Sequence, residues 1–306
     1  MSTELALTRT NELAAIVGLV TDSVTSAHSK RAYDRALREF LGWVDAAGRP
    51  GFSKATVNAY RAALLEAGKS AAAVNQAMSA IRKLAAEAAD NGLIDPTAAA
   101  AVGRVKGVEA AGRRSGNWLS RDQAQRLLDA PNTATLKGLR DRALLAVLLG
   151  TGLRRAEVAG LTYEHIRQRD GRWVIVDLIG KRGRVRSVPM SSWTKAAIDA
   201  WSAAAGRSTG RVFVSINKGG RIDGDSMSPQ AVYETVDHWA AVAGLEVAAH
   251  DLRRTFAKLA HKGGAALDQI QLTLGHSSIQ TTERYLGVEQ NLESAPCDVL
   301  GLSLYR

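Results

Sequence analysis

Charged side chains that interrupt a strongly apolar segment are the first candidates for chemistry in this sequence. In "LLAVLLGTGLRRAEV", Arg154 follows an apolar helix that is broken by two glycines. Backbone N–H groups at the start of the next helix, near residues 151–153, would favour an anion at the same place. Glu157 lies three residues on and shares the helical face of Arg154, where it could orient the guanidinium. The alternative is an ordinary ion pair at a helix start.

A second group of candidates lies nearer the C-terminus. In "AAHDLRRTFAKLAHKGG", His250 and Arg253 are three residues apart and therefore share a helical face. His276 follows Gly275, a natural C-cap of the helix "LDQIQLTL", and is placed at a corner between helices. Tyr285 lies nine residues further on, in the polar run "IQTTERYLG". A lone histidine is more often structural, but a histidine and an arginine on one face could clamp an oxyanion.

Four basic residues crowd a predicted β-hairpin. The segments "RWVIVDLIG" and "RVRSVPM" are typical of strands, and the short turn "KRGR" joins them. The cluster comprises Lys181, Arg182, Arg184 and Arg186. A single lysine in a tight turn is usually just solvated. Four like charges this close repel one another unless a polyanion lies nearby, so the cluster favours a nucleic-acid contact.

These residue types together suit phosphoryl transfer without a metal ion. The sequence shows no Asp/Glu cluster of the kind that holds Mg²⁺ and no Cys/His spacing for zinc. Side chains must then neutralise the phosphate, arginine through bidentate hydrogen bonds and lysine as a point charge. A tyrosine could attack as a covalent nucleophile, helped by several cations because its ordinary pKa is about 10. We therefore expect no cofactor.

The overall composition points to the same class of partner. The chain has 306 residues, a formal net charge of +10 and 46% hydrophobic residues, enough for one or two domains. The excess charge favours nucleic acid first and an acidic membrane second, although a basic enzyme without such a partner is the plainer alternative. One cysteine, an N-terminus unlike a signal peptide and no apolar run of about 20 residues predict a cytoplasmic protein.

Two helical regions are expected to position these groups. Helical periodicity over residues 12–102 predicts a first domain after a short tail, 1–11. Residues 103–117 are rich in glycine and basic residues without periodicity, which predicts a linker. Residues 118–290 combine helices with the hairpin, and 291–306 form a C-terminal tail. The predicted fold is mainly α, with a helical N-terminal domain and a mixed α+β C-terminal domain that holds a small antiparallel sheet.

Five segments resemble the tyrosine recombinases, the phage integrase family, and in particular its short Xer-type and Cre-like members. In family order they are "GTGLRRAEVAGL", "IGKRGRVRSVPM", "HDLRRTFA", "LGHSS" and "TTERYLG". Each is a weak signal alone, but all five in order, with the nine-residue spacing from His276 to Tyr285, are highly specific. The resemblance covers about residues 12–290. It implies a SAM-like core-binding domain followed by a catalytic domain.

The resemblance implies a role for each candidate. Arg154 matches the family's first catalytic arginine, and Glu157 matches its acidic supporter. Lys181 matches the hairpin lysine, and His250 with Arg253 matches the H-x-x-R pair. His276 matches the second histidine, and Tyr285 matches the nucleophile. Tyr285 would attack a DNA phosphodiester and leave a 3′-phosphotyrosyl link, and Lys181 would protonate the leaving 5′ oxygen. A 5′-hydroxyl of a partner duplex would then rejoin the strands through a Holliday junction. The implied function is site-specific DNA recombination: integration, excision or resolution.

The resemblance also implies partners. These are double-stranded DNA with short core sites, a second copy of the chain on each site and four copies in the synapse. An accessory factor is a further possible partner. The expected location is the nucleoid, without a membrane partner. The candidates for DNA contact are Asn75, Gln76, Ser79, Arg82 and Lys83 on one helix, and Arg182 and Arg184 in the hairpin. A solvated helix face is the alternative for the first five. The tail, 291–306, is expected to dock on a neighbouring protomer.

Two other functions remain open at this point. A type IB-like topoisomerase uses similar chemistry without a second duplex, and the apolar C-terminal tail favours the recombinase over it. A DNA-binding architectural protein that has lost catalysis would lack Tyr285 or Arg154, and the sequence has both.

Overall fold

A computed structural model describes most of the chain. The described residues are 10–48, 51–109, 117–179, 183 and 185–286. They form thirteen α-helices and one three-stranded sheet, in two units that divide between Arg113 and Arg114. Most of the expected N-terminal tail, part of the expected linker and the whole C-terminal tail lie outside the described residues. Among the described helices, none combines the length and hydropathy that a membrane span requires.

The first unit is helical throughout. Its helices are α1 (Thr10–Asp22), α2 (Ala27–Ala46), α3 (Lys54–Glu66), α4 (Ala71–Asp90) and α5 (Pro96–Gly103). Serine side chains cap the N-termini of α2, α3 and α4, and Asp95 caps α5 with Pro96 in its first turn. Helix α4 is the centre of the unit, because it packs against all four of the other helices. Its apolar face is buried along its whole length.

The first unit continues beyond residue 102, where the sequence predicted a linker. Val102 is fully buried and Val105 is 3% exposed, both in the core of this unit. The Asn75 side chain on α4 donates to the Val108 carbonyl at 2.9 Å and accepts from the Val108 N–H at 2.7 Å. Arg82 Nε donates to the Val105 carbonyl at 3.2 Å. Two valines and these hydrogen bonds therefore hold residues 105–108 against α4.

The second unit combines helices with the sheet. Its helices are α6 (Arg121–Asp129), α7 (Leu136–Thr151), α8 (Arg155–Gly160), α9 (Ser192–Ala205), α10 (Pro229–Val242), α11 (Ala249–Lys262), α12 (Leu267–Leu274) and α13 (Ile279–Leu286). Strands β1 (Ile166–Arg169), β2 (Arg172–Ile179) and β3 (Val185–Pro189) form an antiparallel sheet in the order β1-β2-β3. The predicted fold class is confirmed. Strand β1 was not predicted, because its four residues are mostly exposed and show no apolar alternation.

Helix α7 forms the centre of the second unit. Every residue from Ala143 to Leu149 is buried, because α7 is apolar on nearly all sides and contacts α9 and α11 among others. Its one buried carboxylate, Asp141, accepts from Arg140 Nε at 2.8 Å, Lys137 Nζ at 2.7 Å and Trp239 Nε1 at 2.9 Å. These donors compensate the charge, as a buried carboxylate requires.

Strand β3 turns a charged side chain toward the protein interior. Arg186, Val188 and Met190 follow one another at a spacing of two residues and share one face. Val188 is fully buried and Met190 is 2% exposed, whereas Val185 on the other face is 62% exposed. Arg186 pairs in register with Leu178 of β2, beside an irregularity of the ladder at residues 175–178. An arginine on this face must find partners within the fold.

Candidate active site

Arg154 lies at the junction of α7 and α8. Gly152 ends α7 in the left-handed conformation, with φ +63°, and Arg154 is the N-cap of α8. The Glu157 carboxylate accepts from the Arg154 backbone N–H at 2.8 Å and from Arg154 Nη1 at 3.0 Å. The Arg154 side chain is 39% exposed, whereas that of Glu157 is 10% exposed. The carboxylate therefore holds the arginine from behind and leaves it open to solvent.

A second arginine, Arg186 of β3, holds the same carboxylate. Its Nη1 and Nη2 donate to Glu157 Oε1 and Oε2 at 3.0 and 2.8 Å, and its Nε donates to the Thr273 carbonyl at 3.0 Å. Burial alone would raise the pKa of Glu157. The hydrogen bonds from Arg186 and the Arg154 N–H, with both positive charges, nevertheless hold that pKa below its usual value.

Arg253 of α11 is the most deeply buried of the candidates, with 1% exposure. Its Nη1 donates to the Gly152 carbonyl at 2.6 Å, and its Nη2 donates to the Leu274 carbonyl. These carbonyls belong to the C-terminal ends of α7 and α12. One guanidinium thus joins the turn that carries Arg154 to the turn that precedes His276.

His276 lies immediately after α12, in a turn that glycine makes possible. Gly275 has φ +64° and caps α12, as the sequence predicted. His276 Nδ1 lies 3.0 Å from the hydroxyl of Thr282, a fully buried residue of α13. Partial burial, followed by the charges of Arg253 and Arg154, lowers the pKa of His276 to about 4. The imidazole is therefore neutral near pH 7.

His250 is exposed in the first turn of α11, one helical turn before Arg253. Partial desolvation by the surrounding protein, followed by the charges of Arg254 and Arg253, lowers its pKa below the ordinary value of 6.5. Arg254 is turned toward Asp251, to which its Nη1 donates at 3.2 Å. His250 is thus another neutral imidazole beside positive charge.

The structure brings four of the predicted catalytic residues together. Arg253 hydrogen-bonds the Gly152 and Leu274 carbonyls, each two residues before another candidate, Arg154 and His276 respectively. The pKa of His276 is lowered by Arg253, Arg154, His250 and Arg186, in agreement with this arrangement. Tyr285 lies in the last turn of α13, the helix that also supplies Thr282 to His276, and its side chain lies outside the described residues. Lys181, Arg182 and Arg184 also lie outside the described residues.

Two residues of this site were not identified from the sequence. Arg186 was counted only as one of four basic residues near the turn, and its pairing with Glu157 joins positions 29 residues apart. The available signal was its place on the buried face of a predicted strand. Thr282 appeared only within the quoted polar run "IQTTERYLG" around Tyr285. It lies six residues after His276 on the buried side of an amphipathic helix. That position alone does not indicate a hydrogen bond to the His276 ring.

The predicted DNA contacts on α4 have mixed surroundings. Asn75 and Arg82 hydrogen-bond the backbone of residues 105–108. The Ser79 hydroxyl donates to the Asn75 carbonyl at 2.9 Å, one turn back in the helix. Lys83 Nζ lies 3.4 Å from Glu87 Oε1, and the Lys83 side chain is 34% exposed. Gln76 is half-buried.

Comparison with known families covers both units. Residues 117–291 match the phage integrase family, and residues 18–92 match the phage integrase N-terminal SAM-like domain. The chain is 33% identical over 265 residues to tyrosine recombinase XerC of Xanthomonas campestris pv. campestris (strain B100), covering 85% of this chain and 78% of that protein. It is 30% identical over 270 residues to tyrosine recombinase XerD of Pseudomonas aeruginosa, covering 84% and 86%.

Solved structures show the same fold at lower sequence identity. The XerH site-specific recombinase, in a post-cleavage complex with palindromic difH substrate, superposes with a TM-score of 0.68 at 16% identity, covering 92% of this chain and 82% of that chain. The Tn1549 transposon integrase in complex with circular intermediate DNA gives 0.69 at 17% identity, covering 94% and 98%.

The chain therefore belongs to the phage integrase family, the tyrosine recombinases. It is an enzyme of the tyrosine site-specific recombinase class.

Proposed function

We propose that this enzyme cleaves and rejoins double-stranded DNA at short core sites through a 3′-phosphotyrosyl intermediate and a Holliday junction. The observation that carries the proposal is the pair of hydrogen bonds by which Arg253 joins the turn before Arg154 to the turn before His276, with Thr282 of α13 at the His276 ring. His250 lies one helical turn before Arg253 on α11. Two guanidiniums and two neutral imidazoles suit the two non-bridging oxygens of a phosphodiester. Curated relatives named tyrosine recombinases and structural neighbours bound to DNA support the choice of substrate.

The site would stabilise charge that develops on the phosphate. Arg154 is partly exposed and oriented by Glu157, so its remaining N–H groups can donate to a non-bridging oxygen. Arg253 is fixed by two backbone carbonyls and adds a second positive charge. The neutral ring of His276 can donate one further hydrogen bond from Nε2 when the Thr282 hydroxyl donates to Nδ1.

In the covalent step, one bond to phosphorus forms while another breaks. Tyr285 Oη would bond to phosphorus while the bond from phosphorus to the 5′ oxygen breaks, and Lys181 would give that oxygen its proton. The phenol must lose its own proton, and His250 is neutral near pH 7 and so able to accept one. Reversal by the 5′-hydroxyl of a partner duplex restores the phosphodiester. The phosphotyrosyl bond conserves the bond energy, so no nucleotide cofactor enters the cycle.

The decisive experiment tests Tyr285 as the nucleophile. On a nicked suicide substrate, the wild-type protein should form an SDS-resistant protein–DNA adduct. Tyr285→Phe should bind the same DNA and form none, whereas the control Tyr233→Phe on α10 should form it normally. If Tyr285→Phe still gave the adduct, another nucleophile such as Tyr305 would be at work.

A second experiment separates recombination from relaxation. With two core sites, the proposal expects recombinant products and a Holliday junction that accumulates when the second exchange is blocked. Relaxation of plasmids without core sites, with no recombinant product, would instead indicate a topoisomerase. DNA affinity should fall steeply with salt, because phosphate contacts release counterions.

The proposed DNA interface extends to the first unit and to the hairpin. We include Gln76, Ser79 and Lys83 of α4 together with Arg182 and Arg184. Asn75 and Arg82 remain candidates through the parts of their side chains that do not contact residues 105–108. The same proposal includes synapsis by four copies at nucleoid DNA. It also includes docking of residues 291–306 on a neighbouring protomer and help from an accessory factor. Deletion of residues 296–306 should weaken cooperative binding and synapsis.

A further inference from the structure

Resting on the proposed function, we propose that Arg186 is a positioning residue of the reaction. It saturates the Glu157 carboxylate and fixes the turn of His276, so that Arg154 remains available to the scissile phosphate. Arg186 does not touch the reacting atoms in this scheme. It acts through Glu157 on one side and through the end of α12 on the other.

The hydrogen bonds on Glu157 support the first half of this role. Its Oε1 accepts from Arg154 Nη1 and Arg186 Nη1, both at 3.0 Å. Its Oε2 accepts from the Arg154 N–H and Arg186 Nη2, both at 2.8 Å. A carboxylate has about four lone-pair sites, so these four bonds fill it. Arg154 consequently gives Glu157 only one of its five side-chain N–H groups, and the others stay available to a ligand.

Without Arg186, the same carboxylate would compete with DNA for Arg154. Both oxygens of Glu157 would lose an ionic partner while the group stays nearly buried, with 10% exposure. The bidentate geometry between a guanidinium and a carboxylate is favourable, so Arg154 would turn more of its N–H groups toward Glu157. The phosphate would then meet an arginine that faces away from it.

The packing at the end of α12 supports the second half. Arg186 Nε donates to the Thr273 carbonyl at 3.0 Å. A side chain at Gly275 would place its Cβ 3.0 Å from Arg186 Cδ and 3.2 Å from Nε, so glycine is what lets the arginine lie against this turn. His276 is the next residue. The turn before it is therefore held by Arg186, and its ring is held by Thr282.

The charged and titratable groups of the site come from four parts of the second unit. Arg154, at the start of α8, and Arg186, on β3, act on Glu157 directly. Arg253 and His250 on α11, together with these two arginines, surround His276 after α12. Glu157 is the acidic member of this group. Removal of Arg186 leaves a nearly buried carboxylate with fewer donors, and its pKa should rise because burial opposes its charge. In the wild-type protein, the donors keep it ionised to lower pH.

The test compares Arg186→Met and Arg186→Lys with the wild-type protein in single-turnover cleavage of the suicide substrate at saturating DNA. Arg186→Met should slow adduct formation about ten- to hundredfold while DNA affinity changes less than about threefold. Arg186→Lys keeps the charge without the bidentate fork and should be intermediate. The control Arg172→Met removes an exposed arginine of β2 and should cleave normally.

The pH profile distinguishes positioning from loss of structure. The pH profile of Arg186→Met should shift relative to that of the wild-type protein: its cleavage rate should recover toward the wild-type rate as the medium is acidified, because Glu157 then takes up its proton at higher pH and no longer competes for Arg154. The double variant Glu157→Gln/Arg186→Met cannot titrate there and should lack this shift. If Arg186→Met does not fold, as judged by circular dichroism, Arg186→Lys and its pH profile serve as the test.

Three outcomes would overturn the inference. They are normal cleavage by Arg186→Met, a loss of DNA affinity as large as the loss of rate, or a pH profile that is unchanged. Absence of an adduct with the wild-type protein would instead refute the proposed function, so the two failures are distinguishable.

Discussion

The hydrogen bond between Thr282 and His276 gives the sharpest test of the site. Thr282 is fully buried, and its hydroxyl lies 3.0 Å from His276 Nδ1. Thr282→Val keeps the shape and volume of the side chain and removes the hydroxyl. The ring then loses the contact that holds its orientation. When the Thr282 hydroxyl donates to Nδ1, the same contact also places the ring proton on Nε2, the nitrogen that would face the phosphate. We expect slower cleavage with normal DNA affinity.

The size of the effect follows from the protonation state of the ring. Because the pKa of His276 is lowered to about 4, the ring is neutral at pH 7. The lost bond is therefore between neutral groups, worth about 0.5–1.5 kcal/mol, and not a charge-assisted bond of about 1.5–3 kcal/mol. If that energy is lost only in the transition state, the cleavage rate falls about two- to thirteenfold.

The assay is single-turnover adduct formation at saturating suicide substrate, at pH 7. The matched control is Thr281→Val, which makes the same change at the exposed neighbouring position of α13 and should leave the rate unchanged. A rate for Thr282→Val equal to that of the control would refute the role given to this bond. A loss beyond about a hundredfold would also refute it, since one neutral hydrogen bond cannot account for that much.

Three further predictions concern stability, each measured by urea unfolding. Gly275→Ala and Gly206→Ala should each lower the free energy of unfolding by about 1–2 kcal/mol, because both glycines are in the left-handed region. Gly275→Ala should lower it further, because of the two sites only Gly275 would bring the new Cβ against a neighbouring arginine. Asn75→Ala should cost about 1–3 kcal/mol through two lost backbone hydrogen bonds, whereas a loss of DNA affinity at unchanged stability would make it a DNA contact. Asp141→Asn should cost about 3–5 kcal/mol by leaving Arg140, which is 5% exposed, without its carboxylate, and an unchanged unfolding midpoint would contradict this.

Local rules explain the part of the fold that the sequence predicted well. Glycine at a helix end, serine at a helix start and apolar periodicity act within a few residues of one another, so they are visible in a single chain. They located the end of α12, and the end of α7 at its second glycine, Gly152. The expected start of the next helix near residues 151–153 was wrong, because α7 continues through Gly150 to Thr151 and α8 begins at Arg155. The hairpin strands were also predicted, because β-type residues flanked a short glycine-containing turn.

Contacts between distant residues explain what the sequence did not show. Arg186 meets Glu157 and Thr273, positions 29 and 87 residues away, and no spacing rule reaches that far. Asn75 and Arg82 looked like a polar helix face open to DNA, but both hydrogen-bond the segment that follows α5, up to 33 residues later. Polar side chains on a helix can hydrogen-bond solvent, a ligand or distant backbone, and the residue types alone do not show which partner is used.

The two bonds of Arg253 make assembly of the site inseparable from folding of the second unit. Its guanidinium accommodates the carbonyl-rich ends of α7 and α12, each of which closes in a left-handed glycine. Until both helix ends are formed, the arginine lacks these two acceptors, and without the arginine the two carbonyls lose a charged donor. A second unit that is only partly folded would therefore lack the proposed phosphate site. On the proposed function, incompletely folded molecules would leave DNA uncut, because the contacts that complete the fold are also those that position the site.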